Sequence, residues 1–288
     1  MLVNLANFES IQQNAKMGFT GQHNIGQLVT GKDSMTQFND HKDGQFSTVA
    51  KTVQNGNMSI SGNHKFGEFV NNGNTQVMPR QFGLLMDLAS FNNYSNMEGG
   101  NTQIQGTHAF QNFNNAKGGN VNVMDHKGGQ FSTFGNTNNA GNMNVSGLHK
   151  FDNTVNSGNF VAGPRAFNPD GTPAALLMDL AEFNQFANMA GGQASFQGTH
   201  GIKNLSNAKD GKVMFLDHKG GQFSTVGNTN NAGDMSVSGL HKFDNTVNSG
   251  NFVAAPRTFN PDGTPAALLM DLASFNNYSN MAGGNTQI

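Results

Sequence analysis

Residues 130–183 read QFSTFGNTNNAGNMNVSGLHKFDNTVNSGNFVAGPRAFNPDGTPAALLMDLAEF, and residues 222–275 read QFSTVGNTNNAGDMSVSGLHKFDNTVNSGNFVAAPRTFNPDGTPAALLMDLASF. The two stretches are offset by 92 residues, the distance from Gln130 to Gln222. A third, more diverged copy starts at Gln45, 85 residues before Gln130. The shortfall of seven residues is the NPDGTPA segment, which follows Phe167 and Phe259 but is missing around Met78–Leu88. A long period of this kind is the mark of a repeat architecture. The blocks are 1–83 (diverged, without NPDGTPA), 84–175 and 176–267, with an extra unit at 268–288. Together they read as one continuous elongated domain.

The blocks divide further. All nine histidines fall into three triplets: His23, His41, His64; His108, His126, His149; and His200, His218, His241. Gaps of 18 and then 23 residues recur in each. Around them runs a looser template: an apolar residue, a few polar ones, Asn, a Gly-Asn step, then alternating residues ending in Val-x-Gly-x-His. Units of this length, with period-2 alternation (NVNVMD, NMNVSG, KVMFLD) and Gly/Asn corners, predict an all-β chain folded as a β-solenoid. The coils are about 18–31 residues long, four to a block. Gly and Asn would supply corners with positive φ, inward Phe, Val, Met and Leu would stack coil on coil, and Asn at a fixed phase would form ladders. Residues 172–183 carry helix signals: a Thr cap, Pro at the first position and strong helix formers, with Gly191-Gly192 beyond. They leave one short helix per block as a rival. The shared Met-Asp of LLMDLASF and NVMDHKGGQF makes the same segment another coil.

Composition narrows the classes. The formal charge is −2, charged residues make up 12%, and there are 24 Phe. That apolar content with little charge reads as an ordered chain. The 16 Lys and Arg are spread evenly, which argues against nucleic acid as a partner. No cysteine is present, so disulfides, thiolate metal sites and a cysteine nucleophile are excluded. No secretory signal is legible at the start, and no apolar run reaches the length of a membrane span.

Residues 1–8 match residues 84–91, and the stretch up to Ile288 matches that up to Ile104. The chain would thus open and close on the same kind of coil, about thirteen in all, stacked into a rod on the order of 60 Å. Neither end reads as a cap, so unlike faces would meet head to tail and propagate. Leu2, Leu5, Phe8, Leu269, Leu272, Phe275 and Ile288 are the expected interface, and deleting 1–22 or 267–288 should abolish growth.

Three further sets of residues carry chemistry. With the coils in register, the imidazoles of a triplet would stack about 5 Å apart. Such a column reads first as structural corners, then as a metal ladder (His108, His126, His149, His200, His218, His241) beside Asp40, Asp125 and Asp217, and last as a pH switch. Arg80, Arg165 and Arg257 each sit in Pro-Arg-x-Phe, followed by Asp87, Asp179 or Asp271. They read as ion pairs at the base of a loop or as lateral contacts. Every potential catalytic residue recurs in triplicate, whereas enzyme sites are usually singular, so no enzyme and no cofactor is expected.

The steps GNTNNAGNMNVSG and FNNAKGGNVNV resemble the Asn/Gln/Gly repeats of bacterial functional amyloids, the curlins and Fap fibre proteins. The likeness covers only the Gly-Asn corners. This chain has a compound four-coil block, more Phe, and no leader of the kind those families carry. The resemblance implies an extracellular or cell-surface fibre built from the chain itself. The expected function is a structural subunit assembling head to tail. The alternative is an adhesin or phage-fibre module that presents loops to a receptor or glycan.

Overall fold

A computed structural model describes residues 5–39, 47–62, 64–78, 89–124, 132–147, 149–163, 181–198, 200–216, 224–239, 241–255 and 273–287. Among them are 26 strands and no helix. The fold is the expected all-β solenoid. The run 172–180 of the rival helix lies outside the described residues, but Ala181, Glu182 and Phe183 are strand.

The chain divides into two compact units, Met1–Met143 and Asn144–Ile288, a division that cuts across block 84–175. Each unit is built from two-strand coils. In the first, the long strands Leu5–Gln13, Gln22–Thr30, Thr48–Gln54, Lys65–Asn71, Ala89–Asn96, His108–Asn115 and Ser132–Asn139 lie side by side in chain order. The short strands Lys16–Thr20, Met35–Asn39, Asn57–Ser61, Asn74–Met78, Asn101–Gln105 and Asn120–Met124 form the facing sheet. In the second unit the long strands are His149–Asn156, Ala181–Asn188, His200–Asn207, Ser224–Asn231, His241–Asn248 and Ala273–Asn280. Its short strands are Asn159–Gly163, Gln193–Gln197, Lys212–Leu216, Asp234–Ser238, Asn251–Ala255 and Asn285–Gln287. The strand Asn142–Ser146 spans the boundary. Among the described residues the strand pairings are parallel and in register, for example Phe91 on Phe110 and Ile104 on Val123.

Alternation places the core between the two sheets. The long strands break it once. Gln111 and Asn112 both face outward, so Phe110 and Phe113 point in on either side of the break, three residues apart. Two aromatic columns result. Phe66, Phe91, Phe110 and Phe134 stack with centroids 5.0, 4.7 and 4.9 Å apart and planes within 9° of parallel. Phe69, Tyr94 and Phe113 stack beside them at 5.0 and 5.1 Å. These distances are the spacing of paired strands, and each stacked pair contributes about 0.5–1.5 kcal/mol beyond its area.

The second column and its counterpart on the short strands are matched in size. Where the long strand carries Tyr94, Phe113 or Phe186, the short strand carries Thr102, Val121 or Ala194. Where it carries Thr137, Thr154, Thr229 or Thr246, the short strand carries Met143, Phe160, Met235 or Phe252. The two columns touch, since Tyr94 Oη lies 2.8 Å from Thr102 Oγ1. Alternating large and small partners keeps every coil filled to the density that interiors require.

The glycines divide into two kinds. Gly106, Gly147, Gly198 and Gly239 have φ between 91° and 99° and turn the chain out of the short strand, as the sequence predicts. The glycines of the Gly-Asn step are different. Gly73, Gly119, Gly141 and Gly250 have no positive φ, yet a Cβ on Gly141 would stand 2.3 Å from the Gly119 carbonyl oxygen, and one on Gly250 2.1 Å from that of Gly233. They are required by the close approach of one coil to the next. Nor does Asn supply positive φ: Asp210 is the one non-glycine residue there among the described residues.

Candidate functional site

From Lys65–Asn71 onward, the asparagine that ends each long strand points inward at the turn. In the first unit, Asn71 Nδ2 donates to Asn96 Oδ1, Asn96 to Asn115, and Asn115 to Asn139, each at 2.8 Å. In the second unit the ladder runs Asn156, Asn188, Asn207, Asn231, Asn248, Asn280 at 2.8–2.9 Å. Each amide also donates to backbone. Asn188 Nδ2, for example, lies 3.0 Å from Gly192 O and 3.1 Å from Lys212 O. Those carbonyls fix which end of the amide is nitrogen, so the ladder has a direction, with donors toward the following coil and acceptors toward the preceding one. Asn71, Asn115, Asn139, Asn156, Asn231 and Asn248 are fully buried. Amides buried this way are stable only because their hydrogen bonds are made. Gln13, Thr30 and Gln54 hold the column in the first coils.

Two further ladders lie outside. Asn74 donates to Asn57, Asn101 to Asn74, Asn120 to Asn101 and Asn142 to Asn120 along the start of the short strands. Asn228, Asn245 and Asn277 donate back to Asn204, Asn228 and Asn245 on the long strands. Both run opposite to the buried ladder.

The histidines sit at the opposite corner, where the chain enters a long strand. His23, His64, His108, His149, His200 and His241 each place Nε2 within 2.7–3.1 Å of the carbonyl three residues earlier. The proton is therefore on Nε2, and His64 and His108 accept backbone N–H from Ser47 and Ala89 on Nδ1. Burial pushes His108 and His200 down to about 4, against the smaller raising effect of the Gln105 and Gln197 carbonyls. The expected stacking of a whole triplet in one column does not hold. His200 is preceded in the column by Ala181 and followed by Ser224, and only then comes His241. His108 likewise lies between Ala89 and Ser132. Serine replaces imidazole because Ser132 and Ser224 Oγ donate to the carbonyls of the corner glycines Gly106 and Gly198. The middle histidines His41, His126 and His218 lie outside the described residues, with Asp40, Asp125 and Asp217. Among the described residues no three His, Cys, Asp or Glu side chains are grouped to hold a metal ion.

Of the expected interface, Phe8 is 40% exposed and its ring lies 6.3 Å from that of His23. Leu5 is in strand, opposite Gln22. Phe275 is half-buried and stacks on Phe243 at 5.2 Å. Leu2, Leu269, Leu272 and Ile288 lie outside the described residues. So do Arg80, Arg165, Arg257, Asp87, Asp179, Asp271 and the NPDGTPA segments. Lys51–Glu68, 3.4 Å apart on adjacent long strands, is an ion pair that sequence reasoning missed. Comparison with protein-family models, with curated proteins and with solved structures finds no match for this chain.

Proposed function

We propose that this chain is a self-assembling structural subunit, adding further copies of itself by stacking coil on coil, as in an extracellular or cell-surface fibre. The observation that carries this reading is the directed, buried asparagine ladder. From Asn71 onward this ladder presents amide donors on one side of a coil and amide acceptors on the other, so a coil of one molecule is chemically equipped to follow a coil of another. Unlike faces that meet by translation do not close on themselves. The segment ASFNNYSN supports the reading, because it occurs at Ala89–Asn96 and again at Ala273–Asn280. In the first, Phe91 and Tyr94 are 2% and 1% exposed beneath the next coil. In the second, Phe275 and Tyr278 are half-buried, so a coil stacked on this strand, from the same chain or another, has aromatic surface to cover.

The test is electron microscopy and fibre diffraction over a concentration series, with the wild type beside Tyr278→Lys. Wild-type filaments with a meridional reflection near ~4.8 Å, suppressed by the lysine, are expected. Dispersed wild-type monomers throughout the series would sink the reading.

A further inference from the structure

On the short-strand sheet of the first unit, five consecutive strands, from Met35–Asn39 to Asn120–Met124, turn outward only Asn, Gln, Ser and Met. No charged side chain points outward from them. The long-strand sheet of the same unit does carry charge, at Lys51, Lys65 and Glu68. In the second unit the corresponding short-strand column holds Lys212 and Asp234. Over these five strands of the first unit the uncharged face lies on the short-strand side alone; in the second unit Asn159–Gly163 and Gln193–Gln197 are likewise uncharged, before the charges at Lys212 and Asp234.

Its amides are complementary to themselves. Each carboxamide has two N–H donors and an oxygen with two lone pairs. The ladders through Asn74, Asn101 and Asn120 use one donor and one acceptor of each along the stack, and Gln76 donates to Gln103 in the opposite direction. Each of these amides keeps a second N–H and a second lone pair beyond its ladder bonds. The relief fits a copy as well, because a groove of about 490 Å³ runs past Asn57, Asn74, Gln76 and Gln103, and Met35 and Met78 line it, 38% and 37% exposed. A thioether side chain is flexible enough to settle into such a groove.

We propose that this face pairs with the same face of a second copy, and that it does so only after chains have stacked. Five strands at about 4.8 Å spacing and five residues at about 3.3 Å give roughly 400 Å² per molecule. A pair would bury about 800 Å², short of the roughly 1,200–2,000 Å² of a stable interface. Stacked chains repeat the contact along their length, and repeated weak contacts bind together far more tightly than one. Lateral pairing thus rests on the stacking reading and adds to it a defined surface and partner.

The experiment compares wild type with Gln37→Lys/Gln103→Lys and with Gln37→Glu/Gln103→Glu, substitutions on outward positions in non-adjacent coils. Pelleting measures stacking, and filament width in electron micrographs measures pairing. Wild type should give paired or bundled filaments. Each charged variant should pellet to the same extent but show at least tenfold fewer paired filaments, and a mixture of the two variants should pair again. Variant filaments that bundle as the wild type does, or a mixture that stays unpaired, would overturn the lateral interface and leave stacking intact. Wild-type single filaments would do the same. Absence of wild-type filaments would overturn the stacking reading and this proposal with it.

Discussion

Replacing Asn207 by Asp changes one NH₂ for one oxygen and tests the buried ladder directly. Asn207 Nδ2 faces three acceptors: Asn231 Oδ1 at 2.8 Å, Asp234 O at 3.1 Å and Gly211 O at 3.2 Å. A carboxylate would put an oxygen against all three of these acceptors, in a site 1% exposed, while its other oxygen keeps the Asn188 Nδ2 donor. The side chain is expected to remain protonated in the fold, donating one hydrogen bond in place of the amide's set. Holding a carboxyl of reference pKa near 3.9 neutral at pH 7 costs about 1.4 kcal/mol for each of the roughly three pH units between, about 4 kcal/mol in all. The lost donor adds about 1 kcal/mol. Because the folded-state pKa is raised, the unfolded chain sheds its proton first as pH rises. The penalty is therefore small near pH 4 and grows toward pH 7. Urea unfolding of wild type and Asn207→Asp at both pH values measures it, with Asn228→Asp on the exposed ladder as a control expected to lose under about 0.5 kcal/mol. A loss at pH 7 below about 1 kcal/mol, or the same loss at pH 4, would refute the ladder as a source of stability.

Three other outcomes follow from the packing. His108 and His200 titrate near 4 in the fold and near 6.5 when unfolded, so each withdraws about 1.4 kcal/mol of stability per pH unit as pH falls from 6.5 to 4. His108→Ala, which copies the Ala89 position, should flatten its share of that slope in urea midpoints. Thr154→Phe should cost about 1–3 kcal/mol by crowding Phe160. Adding Phe160→Ala should recover most of it, because the pair then reproduces Phe186 with Ala194, and thermal melts of the two variants decide. Gly141→Ala, with a Cβ 2.3 Å from a carbonyl, should destabilise by about 1–3 kcal/mol. Gly18→Ala, with nothing within 4 Å, should be neutral or stabilising by up to about 1 kcal/mol.

The solenoid and its four-coil block were legible because alternation and period are written directly in the residues. Even the kinship of the first coil with residues 84–91 holds in register: Ala6 lies opposite His23 as Ala89 lies opposite His108. The histidine column was not legible from the triplets, whose constant gaps of 18 and 23 residues run through His41, His126 and His218, while the described column passes from His200 through Ser224 to His241. The asparagine spacings of 19, 24, 17 and 32 give the true phase. That signal is present in the sequence, and it places Ser132 and Ser224 between histidines. The Gly-Asn glycines could not be sorted by sequence, since a need for positive φ and a need for space both select glycine. The outward pair at Gln111 and Asn112 likewise hides within a strand that strict alternation would carry straight through.

The two corners of a coil differ in what they tolerate. At the Asn corner the turn is two or four residues long and closed by stacked glycine, so the chain there has no slack. Apart from that choice of two or four residues, differences in coil length enter between a short strand and the next long one. Asn71 and Asn96 are 25 residues apart, and Asn156 and Asn188 are 32 apart, yet both pairs close the same hydrogen bond. Seven residues have come or gone without moving a single column. Peptides inserted at that corner, for instance between Met78 and Ala89, would be carried as passengers at fixed axial intervals, with core and ladder unchanged beneath them.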